Sequence, residues 1–96
     1  MSLVVNILYS GQGDAARLFA EEMLKSGTVD KIRAEDGCEA YDYYFPLEDR
    51  QSLLLIDRWR DSAALDRHHK SEMMDYIAEL RKNYKLKLRV ERFISE

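Results

Sequence analysis

The chain has 96 residues, of which 46% are hydrophobic and 34% charged, and its net charge is -3 at pH 7. This balance predicts a single folded domain, residues 1–96, and excludes an intrinsically disordered protein. Because no basic excess is available to neutralise phosphates, we expect no nucleic-acid partner. The single cysteine, Cys38, excludes an internal disulfide and a cysteine metal cluster. No apolar run reaches membrane-spanning length, so we expect a soluble, cytoplasmic protein with no membrane partner.

The first strand is predicted at residues 4–9, where β-branched and aromatic residues dominate. Asn6 lies in its middle, where its amide either bonds neighbouring backbone or faces a ligand. The following turn, residues 11–16, matches G-x-G-x-x-A, the phosphate-cradling turn of dinucleotide folds. That fold needs several βαβ units, and this chain has room for about four strands. A Gly-rich turn before a helix is therefore the simpler interpretation.

A helix is predicted from residue 14 to residue 34, because apolar residues recur there at three- and four-residue spacing. Gly27 and its polar neighbours weaken the middle and indicate a kink or an early end. Gly37 is a C-terminal stop signal. The apolar stripe that we expect to face a core consists of Ala16, Phe19, Ala20, Met23, Leu24, Val29 and Ile32.

The second and third strands are predicted at residues 38–47 and 52–60, with a turn after Pro46. Both strands are apolar on both faces, and helices can cover only one face of a four-stranded antiparallel sheet. We therefore expect a second copy of the chain to cover the other face in a homodimer. Along these strands Tyr41, Tyr43, Phe45, Leu53 and Leu55 alternate with Ala40, Tyr44, Leu54 and Ile56.

Asp61 is a predicted cap for a helical region that extends to about residue 83. One unbroken helix would turn His69 inward, on a stripe with Leu65, Met73, Tyr76 and Leu80. A break near Ser71 would instead turn His68 inward, with Ala64 and Leu65. Periodicity leaves both arrangements open.

The last strand is predicted at residues 86–94, with Leu86, Leu88 and Val90 pointing inward. The element order β-α-β-β-α-β predicts an α+β, ferredoxin-like fold. Combined with the doubly apolar sheet, it predicts a dimeric α+β barrel.

Two blocks of the sequence carry a resemblance to a known family. The first is Arg-Ala-Glu-Asp-Gly-Cys at residues 33–38, followed by Tyr41; the second is Asp-Arg-Trp-Arg-Asp at residues 57–61, followed by Ala-Leu, His68 and Ser71. With these blocks the sequence resembles, over nearly its whole length, the antibiotic biosynthesis monooxygenase family, including small bacterial quinol monooxygenases. The resemblance identifies His68, rather than His69, as the family histidine.

The sequence departs from the family at two positions. Many relatives have Ser-Pro-His where this chain has Ser71 followed by Glu and Met, so a second histidine is missing. Asp57 stands where relatives usually have Glu, which shortens the reach of that carboxylate. Both departures affect the substrate rather than the fold.

The resemblance implies a cofactor-independent monooxygenase that oxidises a small quinol or phenol with dioxygen, without flavin or metal. In that case His68 is the general base. Asn6 and the indole N–H of Trp59 are available donors for a developing oxyanion. The predicted substrate-binding residues are Tyr41, Tyr44, Asp57 and Phe19.

Two other functions remain open. A haem-degrading branch of the same family shares Asn6, but its iron-ligating histidine would fall at Ala78, which cannot bind iron. The other alternative is an isomerase of a small carbonyl signal molecule, or a dimeric binding protein without turnover. The isomerase would use His68 for the same proton transfer, so the sequence does not separate it from the oxygenase.

Overall fold

Residues 1–95 are described by a computed structural model, in which they form one four-stranded antiparallel sheet and four helices. The strand order is β2-β3-β1-β4. This is the predicted ferredoxin-like α+β fold, with each helical region divided in two. No helix in residues 1–95 is long and apolar enough to cross a membrane. The elements are β1 (Ser2–Ser10), α1 (Ala15–Lys25), α2 (Thr28–Arg33), β2 (Cys38–Tyr44), β3 (Ser52–Trp59), α3 (Ser62–His69), α4 (Met73–Asn83) and β4 (Lys87–Ser95).

Both helical regions break where the sequence weakens them. Gly27 adopts a left-handed φ of 79° between α1 and α2, a conformation that glycine adopts without strain. The second region breaks at Ser71, whose hydroxyl donates to the carbonyl oxygen of His68 at 2.7 Å. Asp61 caps α3 as predicted, because its carboxylate accepts from the backbone N–H of Ala64 at 2.9 Å. The break turns His68 toward the core and leaves His69 exposed.

The sheet has two distinct faces. The inner face lies against the helices and carries Val5, Tyr41 and Asp57, all buried. The outer face is opposite and carries Asn6 and Ile56, since side chains alternate along a strand. The largest fully buried side chains are Trp59, Tyr9, Phe19, Met23, Ile32, Leu53, Leu55, Leu65 and Val29.

Strand β2 is shorter than predicted. It ends at Tyr44, so Phe45 lies beyond the strand and is exposed instead of continuing the inner face. Pro46 explains the early end, because it has no N–H to donate and restricts the residue before it.

Strand β4 is only partly covered by the helices. Leu88 and Val90 lie on the inner side, paired with Tyr9 and Ile7, as their alternation predicts. They nevertheless remain 39% and 43% exposed. The helices pack chiefly against β2 and β3, and β4 is the edge strand beyond β1. Their predicted inward direction is therefore confirmed, but the helices leave them partly uncovered.

Candidate functional site

His68 is held in one orientation by two neighbours. It is 4% exposed on the inner side of α3, and its Nδ1 lies 2.7 Å from a carboxylate oxygen of Glu35. The ring of Trp59 stacks on it at a centroid distance of 4.6 Å and an angle of 26°. Because a carboxylate in this bond only accepts, Nδ1 carries the hydrogen and Nε2 is left as a proton acceptor.

Glu35 reaches His68 because the segment between α2 and β2 packs tightly against α3. Gly37 has a φ of 88°, and a Cβ at this position would clash with that of Ala64. The backbone N–H of Arg60 donates to the carbonyl oxygen of Gly37 at 2.8 Å. These contacts fix the turn that presents Glu35. Glu35 belongs to the first family block, but no sequence signal indicates its role, since 33 residues separate it from His68.

A small cavity of about 50 Å³ lies between the inner sheet face and helices α3 and α4. This volume holds about one or two water molecules, so a ring enters only if rim side chains move. Met74 and Arg81, both on α4, belong to that rim. In residues 1–95 no group of three or more His, Cys, Asp or Glu side chains is arranged to hold a metal ion. The polar lining consists of Tyr9, Tyr41, Asp57, His68, His69 and Arg81.

Asp57 is a buried carboxylate with one satisfied oxygen. It is 3% exposed, and one oxygen accepts from the indole N–H of Trp59 at 2.6 Å. Its other oxygen, Oδ1, is buried and has no hydrogen-bond partner in the described part of the chain. Burial raises the pKa of Asp57, while the Trp59 hydrogen bond and the nearby His68 act in the opposite direction. The site thus contains a hydrogen-bonding position that the protein itself leaves open.

The raised pKa of Asp57 predicts how a substitution changes stability with pH. The contribution of the protonated carboxyl is fully present below the unfolded-state pKa of about 3.9 and is lost as the pH rises through the folded-state pKa. We expect Asp57→Asn to raise the free energy of unfolding at pH 7, with no difference below about pH 3.9. Urea unfolding at both pH values measures this, with the exposed Asp66→Asn as control. If Asp57→Asn raises the free energy of unfolding equally at both pH values, the raised pKa of Asp57 is not the cause.

The tyrosines of the cavity are hydrogen-bonding groups rather than bases. Burial raises the pKa of Tyr9 to about 12, and it raises the pKa of Tyr41 well above its usual range. Both phenols therefore keep their hydrogens at neutral pH. No sequence signal pointed to Tyr9 or Arg81, because β1 and α4 meet there only through the tertiary fold. His69, the alternative to His68, also lines the cavity.

Three of the predicted site residues meet at the cavity and four do not line it. His68, Asp57 and Tyr41 line it. Trp59 lies behind His68, and its N–H is bound to Asp57 instead of being free for an oxyanion. Phe19 is fully buried against Tyr9, with ring centroids 5.0 Å apart.

Asn6 and Tyr44 lie on the outer face, away from His68. Asn6 pairs with Ile56, and Tyr44, which is 50% exposed, pairs with Leu54. The reason is strand alternation: Asn6 follows Val5, which is on the inner face, so the two side chains point to opposite sides. A single pocket bounded by Asn6, Trp59 and His68 is not formed within residues 1–95.

Solved structures share this fold over nearly the whole chain. A Pseudomonas aeruginosa protein is 28% identical with a TM-score of 0.74, and the match covers 99% of this chain and 93% of that one. A Mycobacterium tuberculosis protein is 26% identical with a TM-score of 0.69, covering 100% and 98%. SnoaB, a cofactor-independent oxygenase from Streptomyces nogalater, is 13% identical with a TM-score of 0.81, covering 99% and 93%. At that identity the likeness to SnoaB shows the fold alone.

The sequence comparisons identify the family. A comparison with curated proteins found no match. Residues 2–80 match the family model described as antibiotic biosynthesis monooxygenase. This range contains both sequence blocks, the Glu35–His68 pair and Asp57. Since the match covers well over half of the sequence, the chain belongs to the antibiotic biosynthesis monooxygenase family.

Proposed function

We propose that this protein is a cofactor-independent monooxygenase that oxidises a small quinol or phenol with dioxygen, with His68 as the general base. The observation that carries the proposal is the Glu35–His68 pair, in which the buried His68 lines a cavity between sheet and helices. Membership of the monooxygenase family and the similarity in fold to SnoaB, a cofactor-independent oxygenase, support the same reaction class.

Deprotonation is the step that the protein must assist. A phenol has an ordinary pKa of about 10 and an imidazole one of about 6.5, so the proton transfer is uphill unless the anion is stabilised. Nε2 of His68 would accept the proton, and Glu35 would stabilise the imidazolium through Nδ1–H. Tyr41 would donate a hydrogen bond to the new anion from the cavity wall.

The electron-rich anion then reacts with dioxygen, which takes electrons from it one at a time. Overall, the phenol loses the hydroxyl hydrogen and the hydrogen of one ring carbon. These two hydrogens leave in water with one atom of dioxygen, and the other atom becomes a new carbonyl oxygen. The product is a quinone. The apolar side chains that line the cavity, such as Val5, Leu55 and Ile77, would keep bulk water from the reactive anion.

Dioxygen consumption by the purified protein tests this function. We expect uptake with some members of a panel of reduced quinols and phenols, at one dioxygen per quinone formed and with no added flavin or metal. Asp66→Ala, at an exposed position of α3 that does not line the cavity, is the matched control and keeps most of the rate. Conversion of a carbonyl substrate without dioxygen consumption would instead identify the isomerase.

We infer, in addition, that the outer face packs against a second copy of the chain. This face carries half-buried apolar side chains that no helix in residues 1–95 covers. It also carries Asn6, whose Oδ1 is buried without a hydrogen-bond partner in that range. A sheet-to-sheet homodimer would cover the apolar side chains, on a scale of about 2,000 Å² or more for an obligate interface. The apolar residues are Val4, Leu8, Leu54, Ile56 and Phe93.

The neighbours Leu54 and Leu55 provide a paired test of the homodimer. Leu54 is half-buried on the outer face, whereas Leu55 is fully buried on the inner face. We expect Leu54→Lys to give a folded monomer or a much weaker dimer, and Leu55→Lys to prevent folding, because it buries an unpaired charge. Sedimentation and circular dichroism distinguish these results. A stable wild-type monomer at micromolar concentration contradicts the homodimer.

A further inference from the structure

Two arginines on the cavity side of the sheet differ from most others in the chain: Arg81 lines the cavity, and Arg92 is exposed on β4 beyond its lining. Arg17, Arg33, Arg58, Arg60 and Arg67 all form ion pairs with carboxylates. Arg81 and Arg92 form none with any residue in 1–95, although carboxylates are abundant on this protein. Both therefore keep donors free for a ligand.

The fold places both arginines on the same side of the sheet as Asp57. Arg81 is half-buried on α4 and lines the cavity. Arg92 lies opposite Val5, which lies opposite Asp57, so Arg92 and Asp57 share the inner face about 10 Å apart across two strand spacings. An arginine side chain spans much of that distance. Consistent with this, the charge of Arg92 acts on the pKa values of both Asp57 and His69.

The same cavity also carries hydrogen-bond acceptors. Asp57 contributes a buried oxygen with no partner in the described residues, and His68 contributes a proton acceptor. These acceptors require a hydroxyl hydrogen from the ligand. Leu55 and Ile77 contribute apolar parts of the wall. The Asp57 carboxylate would repel the anionic group of a ligand, and the arginines would attract it. This favours one orientation for a ligand that carries both an anionic group and a hydroxyl group.

We propose that the substrate is an anionic hydroxy-aromatic compound, bound with its hydroxyl group at His68 and Asp57 and its carboxylate or phosphate at Arg81 and Arg92. This proposal rests on the proposed oxygenase function for the fate of the hydroxyl. The guanidinium fork matches the two oxygens of a carboxylate or phosphate, which gives orientation as well as attraction. Uncharged quinols would then be poorer ligands than hydroxy-aromatic acids of the same size.

Calorimetric titration without oxygen tests the proposal, because no turnover occurs. The probes are para-hydroxybenzoate, its uncharged methyl ester, benzoate without the hydroxyl group, and para-hydroxyphenyl phosphate. We expect the better of the two hydroxylated anions to bind at least about tenfold more tightly than the ester, which is a modest value for a charge-assisted contact. The carboxylate and phosphate probes show which anionic group the arginines prefer. Benzoate should bind more weakly than para-hydroxybenzoate.

Substitutions assign the preference to particular residues. Arg81→Gln and Arg92→Gln should each reduce the preference for the anion over the ester, and the double variant should remove it. Asp57→Asn should reduce the preference for para-hydroxybenzoate over benzoate. Arg50→Gln is the matched control, since Arg50 also forms no ion pair within residues 1–95 but lies in the turn before β3. It should leave all affinities unchanged.

Each outcome supports or contradicts the proposal. The proposal is contradicted if anion and ester bind equally, or if the preference for the anion survives in the double variant. It is also contradicted if no probe binds at about 10 mM. Dioxygen uptake is measured separately on the same compounds. Uptake with uncharged quinols and no preference for anions overturns this inference and leaves the oxygenase function standing. An arginine-dependent preference for anions without any dioxygen uptake would support this inference and contradict the oxygenase function.

Discussion

The His68→Ala variant is expected to consume dioxygen about 10²- to 10⁴-fold more slowly than the wild type, the usual contribution of a positioned general base. The imidazole is buried, fixed by Glu35 at 2.7 Å and stacked on Trp59, so no solvent molecule takes its place in the same orientation. The initial rate of uptake at saturating substrate measures the loss. His68→Gln keeps a polar side chain of similar size and should lose nearly as much.

Glu35→Gln separates orientation from proton transfer. The amide still bonds Nδ1 but carries no charge to stabilise an imidazolium, so a smaller loss of rate is expected than for His68→Ala. The loss should fall on kcat more than on KM. Wild-type rates in both His68 variants would remove the base from the mechanism.

The Trp59→Ala variant should lose about 3–5 kcal/mol of unfolding free energy, the range for removing a large buried aromatic side chain. Trp59 is fully buried, stacks on His68 and donates to Asp57 at 2.6 Å. Its removal leaves a cavity and also a second Asp57 oxygen without a partner, which costs about 1–3 kcal/mol more if water does not reach it. Urea unfolding at one fixed protein concentration measures the change.

Trp59→Phe is the matched control for the cavity. It keeps a ring against His68 and removes the N–H donor, so most of its cost should come from the unpaired Asp57 oxygen. We expect its loss to be less than half that of Trp59→Ala. Equal losses in the two variants would show that the Asp57 hydrogen bond, rather than packing, dominates.

Local sequence signals were sufficient for the fold and for the start of α3, but not for which of its histidines turns inward. The order of periodic segments gave the ferredoxin-like topology, and Asp61 marked the start of α3 correctly. The choice between His68 and His69 depended on whether the helix breaks at Ser71. Periodicity does not decide that point, because the break is stabilised by the bond from the Ser71 hydroxyl to the His68 carbonyl.

The site itself depends on contacts that are distant in sequence. Glu35 and His68 are 33 residues apart, and nothing in either segment signals the other. Asn6 was placed with His68 by its polarity in an apolar strand, yet the pleat turns it to the outer face. Its neighbours Val5 and Ile7, both ordinary strand residues, are the ones that line the cavity.

Proton removal by His68 is tested most directly by mixing the protein with a quinol in the absence of oxygen and recording the absorption spectrum. Without oxygen the reaction stops after deprotonation, so a bound anion accumulates and absorbs at longer wavelength than the neutral quinol. At pH 7 we predict the spectrum of the bound anion with the wild type and that of the neutral quinol with His68→Gln, at equal occupancy of the site. The same anion spectrum with both proteins would contradict a role for His68 as the base.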